Sequence, residues 1–70
     1  MPNAMPKETN KKKWGRVIRI QGPIVDVLFD REIPEIFEAL EINLGNNKNL
    51  VLETEFEIGN GEVRTLALGA

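Results

Sequence analysis

From Gly15 onward, short runs of apolar and β-branched residues alternate with turn residues, the texture of an all-β sandwich or barrel. Arg16 to Gln21 (RVIRIQ) predicts a first strand, interrupted by Gly22 and Pro23, where glycine admits unusual dihedrals and proline removes a ladder donor. Ile24 to Phe29 (IVDVLF) predicts a second strand. It is apolar on both faces except at Asp26, which places it centrally. Asp30 to Glu35 reads as a loop, with Pro34 biasing Ile33 away from helix. Ile36, Phe37 and Leu40 have the spacing of one helical turn, and Leu40, Ile42 and Leu44 then alternate as a strand.

Gly45, Asn46, Asn47, Lys48 and Asn49 form a surface turn. After it, Leu50, Leu52, Thr54, Phe56 and Ile58 alternate with Val51, Glu53, Glu55 and Glu57, predicting a strand with one core face and one wet face. Asn60 and Gly61 are the preferred pair for a two-residue hairpin, so Glu62 to Leu68 should return antiparallel. Leu66 and Leu68 then lie opposite Val63, Thr65 and Ala67, and apolar residues on both faces imply that something covers the outer one. The pattern alone gives five strands. A sixth would come from splitting the loop after Phe29 or the segment near Leu40, and closure into a barrel would remove exposed edges.

Residues 1–13 break this rhythm. Their two prolines, polar residues and lack of apolar periodicity predict a flexible tail, with Met5 as an alternative start, ahead of a barrel domain over 14–70. The net charge of −2 is divided unevenly. Lys7, Lys11, Lys12 and Lys13 against Glu8 give the tail +3, which leaves −5 for the remainder, a poor surface for phosphate backbones. With 70 residues there is one domain at most, and its core is marginal, so packing or a neighbour must stabilise it.

The inventory limits the chemistry. There is no Cys and no His, so thiolate nucleophiles, histidine bases, disulfides and the usual zinc sites are excluded, and no phosphate-cradling G-x-x-x-x-G-K-[ST] loop is present. Absence of Cys fits a cytosolic setting. No apolar run approaches the roughly 20 residues of a membrane helix. Glu53, Glu55 and Glu57 share a face at two-residue spacing; a calcium site is conceivable there, and plain solvation is the preferred reading. Asp26 needs hydrogen bonds or a cation in its apolar strand, and Arg16, Arg19 or Arg64 could supply them. Trp14 reads as a lid on the barrel end or, with the lysine tail, as a stacking surface for single-stranded nucleic acid.

Taken in order, GRVIRIQGPIVDVLF (15–29), IPEIFEALEI (33–42), LVLE (50–53) and VRTLAL (63–68) resemble the opening domain of rotary ATP synthase β subunits over nearly all of the chain after the tail. The resemblance implies a closed, six-stranded antiparallel barrel that acts as a non-catalytic assembly domain. It would pack beside the N-terminal barrels of α subunits in an α3β3 hexamer, on the cytoplasmic side and peripheral to the membrane through the parent complex, without direct membrane or nucleic-acid contact. ATP or ADP and Mg, and the catalytic residues of the ion-driven synthase, would belong to a following domain, so no cofactor, metal or catalytic residue is expected in this chain. The chain stops at Gly69 and Ala70, about where such a domain would begin, and so looks like an excised fragment, a truncated product or an isolated relative. Gly15, Gly22, Pro23, Asp26, Pro34, Asn60 and Gly61 are expected to be structural, and Arg64, Leu66 and Leu68 to form a subunit interface.

Overall fold

The computed structural model describes the backbone of residues 3–6 and residues 14–69. Six strands, β1 (Asn3–Pro6), β2 (Gly15–Gln21), β3 (Ile24–Phe29), β4 (Ala39–Gly45), β5 (Lys48–Gly59) and β6 (Glu62–Ala67), close into a barrel in the order β1-β2-β3-β6-β5-β4. Every pairing is antiparallel.

The sixth strand does not come from the centre of the chain. It is Asn3–Pro6, inside the segment read as a flexible tail, and it pairs with β2 through Asn3 and Ala4 and with β4 through Ala4, Met5 and Pro6. Without it, β2 and β4 would be open edges. Backbone hydrogen bonding is enough to recruit a closing strand, and an apolar pattern is not required for that. The lysine cluster Lys11, Lys12 and Lys13 lies outside the described residues.

Val17, Val25, Val27, Phe29, Leu40, Ile42, Leu52 and Val63 fill the interior, with Ile33, Leu50 and Ala67 packed against them. Gly15 lets β2 approach this core, because a Cβ there would stand 2.5 Å from Val27 Cγ1 and 2.9 Å from Phe29 Cε2. Two threonines are also interior. Thr54 and Thr65 face each other across β5 and β6, and the Thr65 hydroxyl donates to the Val25 carbonyl at 2.7 Å. Threonine suits a strand, and the Thr65 hydroxyl is satisfied inside by this carbonyl, whereas the buried Thr54 hydroxyl has no hydrogen-bond partner among the described residues.

Two expected elements differ. The helical turn at Ile36 and Phe37 is a β-turn, closed by Glu38 N–H donating to the Glu35 carbonyl at 3.0 Å, with Phe37 at φ 70°. Hydrogen bonds from Phe37 N–H to the Thr54 carbonyl and from Thr54 N–H to the Glu38 carbonyl extend the β4–β5 ladder through it. Pairing with β5 therefore overrides the helical spacing. The second difference is in β5, where register shifts between Thr54 and Phe56 and between Glu57 and Gly59 reset the alternation. Phe56 and Ile58, expected in the core, are 50% and 44% exposed.

Candidate interaction surface

The charged residues of β2, β3 and β6 meet on the outer face. Asp26 is only 1% exposed, although its strand neighbours Val25 and Val27 point inward and it therefore points out. The ladders place Arg19 opposite it on one side and Arg64 on the other. Arg64 donates from Nε and Nη2 to the two carboxylate oxygens at 3.0 Å each, and Arg19 donates from Nε at 2.9 Å. Arg19 Nη2 continues to Glu62 at 2.6 Å. The two guanidiniums cover the carboxylate and hold it below the usual range, with the Arg64 hydrogen bonds contributing most. Of the three cations considered for Asp26, Arg16 is not used; it stands opposite Leu28. The carboxylate has no solvent-facing role here, and the arrangement ties three strands together.

The expected structural residues sit at the barrel's joints. Gly22, at φ 57°, and Pro23 link β2 to β3, and the Pro23 carbonyl accepts from Ala67 N–H at 2.8 Å. Pro34 is buried in the β3–β4 loop. Asn60 and Gly61, at φ 53° and 83°, make the β5–β6 turn, whose Gly61 carbonyl accepts from Phe29 N–H at 2.8 Å. Positive φ at both central positions is what such a hairpin turn demands.

Apolar surface remains on the outside. Next to the ion-pair row, Ile24 and Leu66 face each other half-buried across β3 and β6, and Leu68 follows at 57% exposure. Of the expected interface residues, Leu66 and Leu68 are thus on the outer face, while Arg64 is engaged with Asp26. Sequence reading missed Ile36 and Phe37, which project into solvent at 61% and 71% exposure from a turn whose dihedral Phe tolerates poorly. The only signal was two large apolar residues inside a predicted loop-to-strand junction. Replacing Phe37 with glycine is expected to leave the isolated barrel as stable as before or up to about 1 kcal/mol more stable, since relief of φ strain offsets glycine's greater freedom in the unfolded chain. Thermal unfolding checks this, and a loss above about 1 kcal/mol would show that Phe37 packs.

Trp14 does not cap the barrel end. It is 55% exposed and lines an open groove of about 300 Å³ with Gly15, Arg16, Leu28 and Asp30, on the outer side of β2 and β3. Glu53 and Glu55 stand together on β5, and their contact pushes the Glu55 carboxyl above its ordinary value, with burial adding to the effect. The Glu55 Oε2 atom is shielded from solvent and has no hydrogen-bond partner among the described residues. Glu57 is diverted from this pair, as its carboxylate accepts from Gly61 N–H at 3.2 Å. Among the described residues no three acidic side chains gather closely enough to hold a metal ion.

The surface thus offers an aromatic and cationic groove, a carboxylate pair and exposed apolar side chains, features suited to contact with another protein. A family model described as the ATP synthase alpha/beta family, beta-barrel domain, matches residues 17–70. That span takes in β2 from Val17 together with β3, β4, β5 and β6, so the chain belongs to the ATP synthase alpha/beta family and carries its β-barrel domain.

Proposed function

We propose that this barrel is the assembly domain of a β-type subunit, packing beside α-subunit N-terminal barrels to hold an α3β3 hexamer. The observation that carries the reading is the outer apolar strip of Ile24, Leu66 and Leu68, left uncovered on a domain already short of core. The β-type assignment is supported by GPIVDVLF and IPEIFEAL. In this reading the parent subunit makes ATP from ADP using an ion gradient, binds nucleotide and Mg in another domain, and lies on the cytoplasmic side, peripheral to the membrane. The barrel contributes geometry and no chemistry.

Size-exclusion chromatography with light scattering, on the chain alone and mixed with an α-subunit N-terminal barrel, tests the proposal. A mixed complex is expected, with Leu68→Asp weakening it at least tenfold. Two species eluting independently at high concentration would overturn the reading, and salt-sensitive retention of an oligonucleotide by the chain would favour nucleic-acid binding through Trp14 instead.

A further inference from the structure

Glu53 stands in the row that forms the apolar strip. The ladders place Ile24 opposite Leu66, Leu66 opposite Glu53 and Glu53 opposite Ala39, so one line across β3, β6, β5 and β4 holds these four residues. Thr54 and Thr65 are interior, so Glu53 and Leu66, one position along from them, share the outer face. All four residues of the line are half-buried. A barrel seated on Ile24 and Leu66 would therefore also lie against a carboxylate.

Glu55 is the extra residue at the register shift between Thr54 and Phe56, and its side chain meets the Glu53 carboxyl. Its Oε2 atom is shielded from solvent and has no donor among the described residues. Among those residues no cation pairs with either carboxyl. On β6, Arg64 falls opposite Phe56 and gives its guanidinium to both oxygens of Asp26. On β4, Ala39 is neutral, and the nearest charged residues in sequence, Glu38 and Glu41, are acidic. On β5 itself, Glu57 accepts from the Gly61 amide. A proton resolves this arrangement. As an O–H on one carboxyl it donates to the other, and the pair passes from two negative charges to one. Covering the strip strips water from Glu53 as well, which penalises the doubly charged form further.

We infer that docking of an α-type barrel on Ile24, Leu66 and Leu68 takes up a proton from solution at the Glu53–Glu55 pair, so that assembly strengthens as pH falls into the mildly acidic range. The inference rests on the assembly reading and adds its regulation. In the free barrel the same contact already raises the Glu55 carboxyl, with Glu53 the main cause. Its effect on folding is opposite in sign to that of Asp26: the stabilisation is full below the ordinary carboxylate value and is lost as pH rises through the higher native one. Asp26 keeps its charge throughout this range, so the ion-pair row stays intact.

Titration calorimetry of the full-length chain with an α-subunit N-terminal barrel tests this, at about pH 8 and about pH 5 and in buffers of different ionisation heat, which report the protons exchanged. Affinity is expected to rise at least threefold on acidification, with net proton uptake on binding. Glu53→Gln places an amide N–H where the proton would sit, so it should bind equally at both pH values and take up no proton. Glu55→Gln should lose the pH dependence likewise. Glu32→Gln, in the exposed β3–β4 loop, should keep that of the wild type. The α barrel is common to all mixtures, so its own titration cancels in the comparison. A wild-type affinity that is constant or falls on acidification, as it would if the partner brought a lysine or arginine to the pair, overturns the inference and leaves the assembly reading standing. So does an unaltered pH dependence in both glutamine variants. If no complex forms at either pH, the assembly reading falls and the inference with it.

Discussion

Replacing Asp26 with alanine is expected to destabilise the barrel by about 2–3 kcal/mol. Removal of one member of a buried ion pair usually costs about 3–5 kcal/mol, because the partner charge is left without compensation. Here the loss is smaller, since the Arg19 and Arg64 side chains are 52% and 39% exposed and can turn to water, and Arg19 keeps Glu62. For a domain of this size each kcal/mol moves the melting temperature by about 4–8 °C, so a fall of more than about 10 °C is expected. The same pair fixes a pH dependence. Asp26 titrates below an ordinary carboxylate in the folded state, so its stabilisation is present above the unfolded value of about 4 and is lost as pH falls through the lower, native range. Wild type should therefore lose stability steeply in that acid window, and Asp26→Ala should lack that component. Equal acid sensitivity in both proteins would refute the role given to Asp26.

Gly61→Ala is expected to cost about 2–3 kcal/mol for two separate reasons. At φ 83° an alanine is strained by about 1 kcal/mol, and its Cβ would stand 2.6 Å from the Phe29 carbonyl oxygen, a backbone atom that cannot move aside cheaply. The same strand end is held by Phe29 N–H donating to the Gly61 carbonyl at 2.8 Å, so relief of the overlap would loosen that bond as well. Gly22→Ala is the internal control. It has φ 57° and nothing within 4 Å of the added carbon, so it should show the dihedral cost alone, about 1 kcal/mol. Urea unfolding midpoints of the two variants measure the difference. If they coincide, the close approach of the β5–β6 turn to β3 contributes nothing.

The β3 strand, the Asn60–Gly61 hairpin and the apolar outer face of Leu66 were legible in the chain because each depends on residues adjacent in sequence. Period-two alternation shows which face is buried, and a two-residue turn fixes the register that follows it. For Asp26, the sequence determined that an acid inside an apolar strand needs a cation. Which arginines answer it was decided by the lateral order of β2, β3 and β6, since Arg19 and Arg64 fall opposite Asp26 and Arg16 falls opposite Leu28.

Other features arise only through long-range pairing. Asn3–Pro6 becomes a strand because two edges are waiting for it, and nothing in NAMP carries a strand's pattern. The bulge after Thr54 turns Phe56 outward, a change of one residue that period-two reading cannot foresee. Ladder hydrogen bonds to Thr54 hold Ile36 and Phe37 in a β-turn against their helical spacing. Local chemistry thus determined the strands, the turns and the need to pair Asp26. Barrel closure decided which side chains meet and which face outward, because hydrogen bonds between distant strands set their relative positions.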